Sequence, residues 1–305
     1  MGTASIAARA REIPRRPSWP PGCVIVGVDG SWCSELALRW SVWACGRTGR
    51  DLEIRHVLGR SGHSDDTAVC AAHKLVHQLN PSLAVRCGQV AAAASTWLTD
   101  RQRAHDVVAV GWRGIASGLG CAPTSRAATL LDVVARSRGA TVVVRLPTGD
   151  PNGLRVVAAI ARLPDDEPVL RWAAEFAAGQ GDQLVVAHAS PGAFGQRSPH
   201  RTEVQRAGQA LLDQAAKTIG DNRLGLPVHT ALARVPAHEL LADPLGADLL
   251  VMGSDPSSAG AGQPPAALVR AALYHAPCTV MVTPRTPEPC NIERATSTPD
   301  RWFRM

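Results

Sequence analysis

The sequence predicts an α/β fold built twice, as two tandem open parallel sheets with helices on both faces. Three observations predict it. Short β-branched and apolar runs such as Val107-Val108-Ala109-Val110 read as strands buried on both faces. Stretches of helical periodicity separate those runs, and that alternation calls for parallel strands joined by right-handed crossovers. The pattern also recurs: Ala37-Leu38-Arg39-Trp40-Ser41 reappears as Val169-Leu170-Arg171-Trp172-Ala173 at an offset of 132, and Asp106–Gly111 reappears as Asp248–Gly253 at an offset of 142. Two segments matching in the same order signal an internal duplication. The difference of ten between the offsets of 132 and 142 places an insertion near Ser190–His200, where proline and glycine cluster.

Taken in order, residues 1–22 hold four prolines and four arginines and read as a flexible leader, because such a composition buries too little to offset its ordering entropy. The first domain then covers 23–146. Cys23–Val28 is a buried strand, Asp29-Gly30-Ser31 turns the chain, and Ser34 caps a helix carrying Leu36, Leu38, Trp40 and Val42. Ile54–Leu58 is strand two, followed by a helix ending near Asn80-Pro81. Ser82–Cys87 is strand three, Ala91–Ala104 helix three and Val107–Val110 strand four. Thr129–Arg136 is helical and Thr141–Leu146 is strand five. Residues 147–153 form a linker rich in turn residues. The second domain covers 154–284, opening on the strand Leu154–Ile160, and 285–305 reads as a flexible tail.

Composition narrows the function classes. The formal net charge is +6, and of the 32 basic residues only Lys74 and Lys217 are lysines. Much of the excess lies in the leader (Arg9, Arg11, Arg15, Arg16), and no aromatic residues interleave with a basic stripe, so a nucleic-acid partner is not expected. No apolar run reaches the 18 or more residues of a membrane span, and the N-terminus has no signal-like apolar core. These features point to a cytoplasmic protein that does not engage membranes. The eight cysteines form no Cys-x-x-Cys and suit free thiols in a reducing compartment. Cys70, His73 and His77 share a helix face, but no fourth ligand accompanies them, so a packed face is expected rather than zinc.

The stretch with chemical potential is Gly111-Trp112-Arg113-Gly114, directly after strand four. Glycines there allow a turn and let a ligand approach backbone N–H groups. In an open α/β sheet, ligands bind beyond the strand ends where the strand order reverses. No Gly-x-x-x-x-Gly-Lys-Ser/Thr, no Gly-x-Gly-x-x-Gly after strand one and no Gly-x-Ser-x-Gly is present, so no catalytic constellation is expected and the reading is a binder rather than an enzyme.

Together Val24–Ser31, Leu38-Arg39-Trp40, and His275-Ala276-Pro277-Cys278-Thr279-Val280-Met281-Val282 resemble the universal stress protein family in its tandem two-domain form. The resemblance covers about residues 23–146 and 154–284. It implies five-stranded parallel sheets of order 3-2-1-4-5, pairing through the last strands, with Val142–Val144 and Val280–Val282 as the candidate edges. It also implies, for members that bind ATP, a Gly-x₂-Gly-x₉-Gly-Ser/Thr pattern. The nucleotide-binding set implied here is Gly27, Val28 and Asp29 after strand one, Val57 at the end of strand two, and Gly111, Arg113, Gly114 and either Ser125 or Thr129 after strand four. The third glycine is missing, so two readings stand: an adenine-nucleotide site, with ATP as cofactor in the first domain, or a sealed structural turn. In the second copy Ala161 replaces Asp29, Pro256 the second glycine, and Ala266-Ala267 the Gly-Ser pair, so that pocket is expected to be a poor nucleotide site. The expected role is stress response through signalling or partner binding, with a second copy or a signalling protein as partner. The alternative is an interaction scaffold in which both pockets have decayed.

Overall fold

The computed structural model describes residues 22–57, 67–90, 93–112, 123–145, 153–179, 181–190, 199–221, 226–254, 267–284 and 302–303. The first half runs β1 (Cys23–Val28), α1 (Trp32–Thr48), β2 (Asp51–Val57), α2 (Thr67–Leu79), β3 (Val85–Val90), α3 (Ala94–Thr99), β4 (Val107–Gly111), α4 (Pro123–Arg136) and β5 (Ala140–Val144). The second half runs β6 (Arg155–Ala159), α5 (Glu167–Phe176), β7 (Gln183–Ala189), α6 (Pro199–Asp221), β8 (Val228–Ala233), α7 (Ala237–Ala242), β9 (Leu249–Gly253), α8 (Ala267–His275) and β10 (Thr279–Thr283), with β11 (Trp302–Phe303) after it.

The strands form one 11-stranded sheet of order β11-β3-β2-β1-β4-β5-β10-β9-β6-β7-β8. Each half has the order 3-2-1-4-5 with parallel neighbours. The halves are fused edge to edge, because β5 and β10 pair antiparallel with Thr141 opposite Val282, Val142 opposite Met281 and Val143 opposite Val280. Every residue of both strands is buried, which accounts for their unbroken apolar runs. Alternate residues feed opposite faces. Val24, Val26, Val107, Ala109 and Val142 join a core with α1, α2, α5 and α6, while Val143, Val157, Leu250 and Val280 join one with α4, α7 and α8.

On the first face α1 and α5 meet across the seam. Phe176 stacks against Trp40, Trp43 and Trp172 at centroid distances of 5.6, 6.1 and 6.3 Å. Arg47 ion-pairs with Asp182 and donates from Nε to the Phe176 carbonyl at 2.6 Å. Arg50 ion-pairs with Glu175 and lies over Trp172, 4.8 Å from its centroid. The repeated tryptophans are therefore core residues, and they build the seam as well as each half.

Local details differ from expectation. The cap of α1 is Ser31, whose side chain accepts from the Ser34 N–H, so the helix starts earlier than a Ser34 cap implies. Strand β2 starts at Asp51 rather than Ile54, β3 spans 85–90 rather than 82–87, and α3 is confined to six residues. Parallel pairing with β1 and β2 overrides local propensity there. The extra length of the second copy falls between β7 and the aligned part of α6, adjoining Ser190–His200: the buried Leu212, Ala215 and Ile219 stand 143 residues after Val69, Ala72 and Val76 of α2, so α6 is longer at its N-terminal end. The tail is not loose throughout, since Trp302 and Phe303 pair antiparallel with Gly88 and Cys87. The leader, nearly all of the linker and the rest of the tail lie outside the described residues.

Phe176 is fully buried at the centre of the seam cluster. Phe176→Ala is expected to cost about 3–5 kcal/mol of stability, read as a lower midpoint in urea denaturation.

Candidate functional site

Strands β1 and β4 are neighbours at the centre of the first half, and their crossovers leave to opposite faces, α1 to one and α4 to the other. That is the switch point at which an α/β sheet opens a crevice. The turn after β1 is held by its own side chains. Gly30 has φ +75°, a conformation that suits glycine. Asp29 Oδ1 accepts from the Ser31 N–H at 3.1 Å and from Ser31 Oγ at 2.5 Å, while the Asp29 N–H donates to Ser34 Oγ at 3.3 Å. Asp29 is exposed on this turn, with one carboxylate oxygen engaged by the helix cap.

The turn after β4 meets it. A Cβ on Gly111 would lie 2.1 Å from the Cys33 carbonyl oxygen, so the end of β4 passes against the first turn of α1. Gly111 thus has a packing reason for being glycine. A Cβ on Gly27 would touch Leu98 of α3 at 3.1 Å. Val28 is buried, and Val57 is half-buried at the end of β2 beside Val90. Arg113 and Gly114 lie outside the described residues. Helix α4 begins at Pro123, six residues before Thr129, so Ser125 falls in its first turn and Thr129 in its second. Leu130, Val133 and Val134 do lie buried together, as their spacing requires.

One residue at the crevice escaped the sequence reading. His56 Nδ1 lies 2.7 Å from the Val28 carbonyl oxygen, and His188 Nδ1 lies 3.0 Å from that of Ile160. The signal was present, since these histidines stand at the same offset as the two tryptophans.

The second crevice is built differently at one position. Asp166 occupies the place of Ser34, and Asp166 Oδ2 accepts from the N–H groups of Ala161 and Arg162 at 2.6 and 3.0 Å. Asp166 is fully buried. In the first copy a neutral hydroxyl meets the Asp29 N–H; in the second a carboxylate takes the equivalent N–H and the one after it. By contrast, the Asp106 and Asp248 that begin the repeated segments do matching structural work. Asp106 Oδ1 accepts from the Cys23 N–H at 2.9 Å, and Asp248 Oδ2 from the Arg155 N–H at 2.8 Å.

Other candidates stand apart from the crevice. Cys70, His73 and His77 lie on α2, and no group of three or more metal-ligating side chains is found among the described residues. Burial pushes the Cys45 thiol up to about 12, as suits an inert core cysteine. A cavity of about 400 Å³ lined by Val42, Trp43, Gly46, Arg47, Leu79 and Asn80 lies at the C-terminal ends of α1 and α2, away from the switch point. No helix among the described residues is long and apolar enough to cross a membrane.

Comparisons with known proteins agree with this architecture. The universal stress protein family model matches residues 154–284. A crystal structure of a universal stress protein from Archaeoglobus fulgidus is 14% identical, covering 88% of this chain and 100% of its own at a TM-score of 0.58. A functionally unknown protein from Pseudomonas aeruginosa is 16% identical, covering 86% of this chain and 92% of its own at 0.55. The cytoplasmic domain of a prokaryotic cation chloride cotransporter is 10% identical, covering 87% and 96% at 0.51. At these identities the likeness is one of fold. No curated protein matches the sequence.

Two variants test the contrasting turns. Gly111→Ala sets a methyl group against the Cys33 carbonyl and is expected to cost about 1–3 kcal/mol, seen as a lower melting temperature. Asp166→Ala strips two turn N–H groups of their acceptor and is expected to cost about 1–3 kcal/mol, measured by urea denaturation.

Proposed function

We propose, for a chain that belongs to the universal stress protein family through residues 154–284, that the first domain binds an adenine nucleotide, ATP, in the crevice between β1 and β4. The observation that carries this reading is the difference between the two crevices at one equivalent position. Ser34 meets the first turn with a hydroxyl and leaves the Asp29 carboxylate exposed at its rim, whereas Asp166 fills the second turn with a buried carboxylate. In this reading Asp29 accepts from a ribose hydroxyl or the adenine amino group, with Gly27, Val28 and Val57 lining the base side. The backbone of the Gly111–Gly114 segment, Arg113 and the Ser125 hydroxyl at the start of α4 receive the phosphates, where helix N–H groups and the helix dipole favour an anion. The family match falls on the half with the poorer nucleotide pattern, so it speaks for the fold and the stress-response class rather than for the ligand.

The protein acts in this reading as a cytoplasmic stress-response protein that signals or binds partners according to nucleotide occupancy, without turnover. A second reading, an interaction scaffold that takes no nucleotide, is favoured by the packing reasons found for Gly111 and Gly27. Mass spectrometry of small molecules released from denatured protein, together with calorimetric titration, separates the two. The nucleotide reading expects released ATP or ADP, or saturable ATP uptake, abolished in Asp29→Ala and Gly114→Val. A folded wild-type protein that neither carries nor takes up adenine nucleotide supports the scaffold instead.

A further inference from the structure

The two halves differ at the seam, and the difference falls on the residue that opens the glycine turn. Trp112 follows the last residue of β4, and its N–H donates to the Val144 carbonyl at 2.9 Å. Its ring meets that of Tyr274 on α8 edge to face, with centroids 5.7 Å apart and planes at 68°. The Arg145 guanidinium lies over the Trp112 ring, 4.5 Å from its centroid, and donates to the Leu273 carbonyl. That carbonyl belongs to the last turn of α8, where unpaired acceptors and the helix dipole favour a cation. Trp112 is thus held between Arg145 of the first domain and Tyr274 of the second, half-buried against the core that runs under α4 and α8.

The antiparallel seam makes this contact. It sets the C-terminal ends of β4 and β5 beside the C-terminal end of α8. The duplication offers the same meeting at the second crevice. There Ser254 follows β9 as Trp112 follows β4, and Pro284 follows β10 as Arg145 follows β5. Ala135, five residues before β5, holds the place that Tyr274 holds before β10. Among the described residues, the aromatic and cationic side chains of this contact stand at the crevice with Asp29 and Ser34, and Ser254, Pro284 and Ala135 hold their places at the one with Asp166.

We propose that Tyr274 of the second domain is a positioning residue for the first. With Arg145 it fixes Trp112, and so holds the start of the Gly111 turn in the geometry an adenine nucleotide needs. The inference rests on the nucleotide reading above and gives the second domain, whose own crevice is shut, a role in binding at the first. By linkage, a nucleotide that orders the turn also tightens the seam.

Full-length Tyr274→Ala and Tyr274→Phe are compared with wild type in two measurements: hydrogen exchange of the peptide containing Trp112, without ligand, and calorimetric titration with ATP. Tyr274→Ala is expected to speed exchange at Trp112 and to weaken ATP binding about tenfold, equivalent to ~1.4 kcal/mol. Tyr274→Phe keeps the ring and is expected to change neither. Trp112→Ala reads the same contact from the other side should Tyr274→Ala fail to fold. Unaltered exchange at Trp112 in Tyr274→Ala overturns the clamp, and altered exchange with unaltered ATP affinity overturns its role in binding. A wild-type protein that takes up no ATP sinks the nucleotide reading and the role in binding with it, while the exchange comparison still decides whether Tyr274 holds the turn.

Discussion

The antiparallel pairing of β5 with β10 is the contact on which the rest of the molecule depends. Each half of the chain ends on a strand whose outer side would otherwise present unpaired N–H and C=O groups. Joining the two edges satisfies those groups and creates a continuous sheet with two outer edges instead of four. It also fixes the relative orientation of the halves about an approximate two-fold axis. That orientation brings α1 against α5 on one face, where Trp40, Trp43, Trp172 and Phe176 stack between two buried arginine pairs. On the other face it brings the end of α8 to the glycine turn.

The arginine pairs at the seam show how charge is accommodated in an apolar contact. Arg47 and Arg50 each reach a carboxylate of the opposite half and lie over an indole ring, Trp43 for Arg47 and Trp172 for Arg50. A planar guanidinium can satisfy both demands at once, which an ammonium does less well. Asp182 is further tied by the Leu154 and Gly179 N–H groups at 2.8 and 2.7 Å, so its charge is spread over several donors. Breaking such a pair leaves the partner's charge buried and uncompensated.

Duplication makes each position of one half a control for the other. Asp106 and Asp248 do the same work, as do His56 and His188, and these pairs mark what the fold itself requires. Ser34 and Asp166 do the same hydrogen-bonding work with different charge, and that pair marks where the two turns diverge. The second half keeps the fold with a differently held turn, and it meets the first half along the seam and at Trp112.

Much of the fold is legible in the sequence alone. Apolar runs mark the strands, helical periodicity marks the crossovers, and the paired tryptophans mark the repeat, because these are local regularities of 2.0 and 3.6 residues. The choice of Val142–Val144 and Val280–Val282 as joining edges comes from the family resemblance, which implies pairing through the last strands, and not from periodicity. Element ends are less legible, since β2 and β3 extend as far as their neighbours offer hydrogen bonds and α6 carries its extra turns at its N-terminal end. The site is least legible of all. Sequence spacing marks Asp29 and Gly111, but that Gly111 meets the Cys33 carbonyl, that Ser31 rather than Ser34 caps α1, and that Trp112 lies on Tyr274 are decided by segments far apart in the chain. Periodicity is a property of neighbours in sequence; the charge and shape of a crevice are set by which distant backbones the sheet brings into contact.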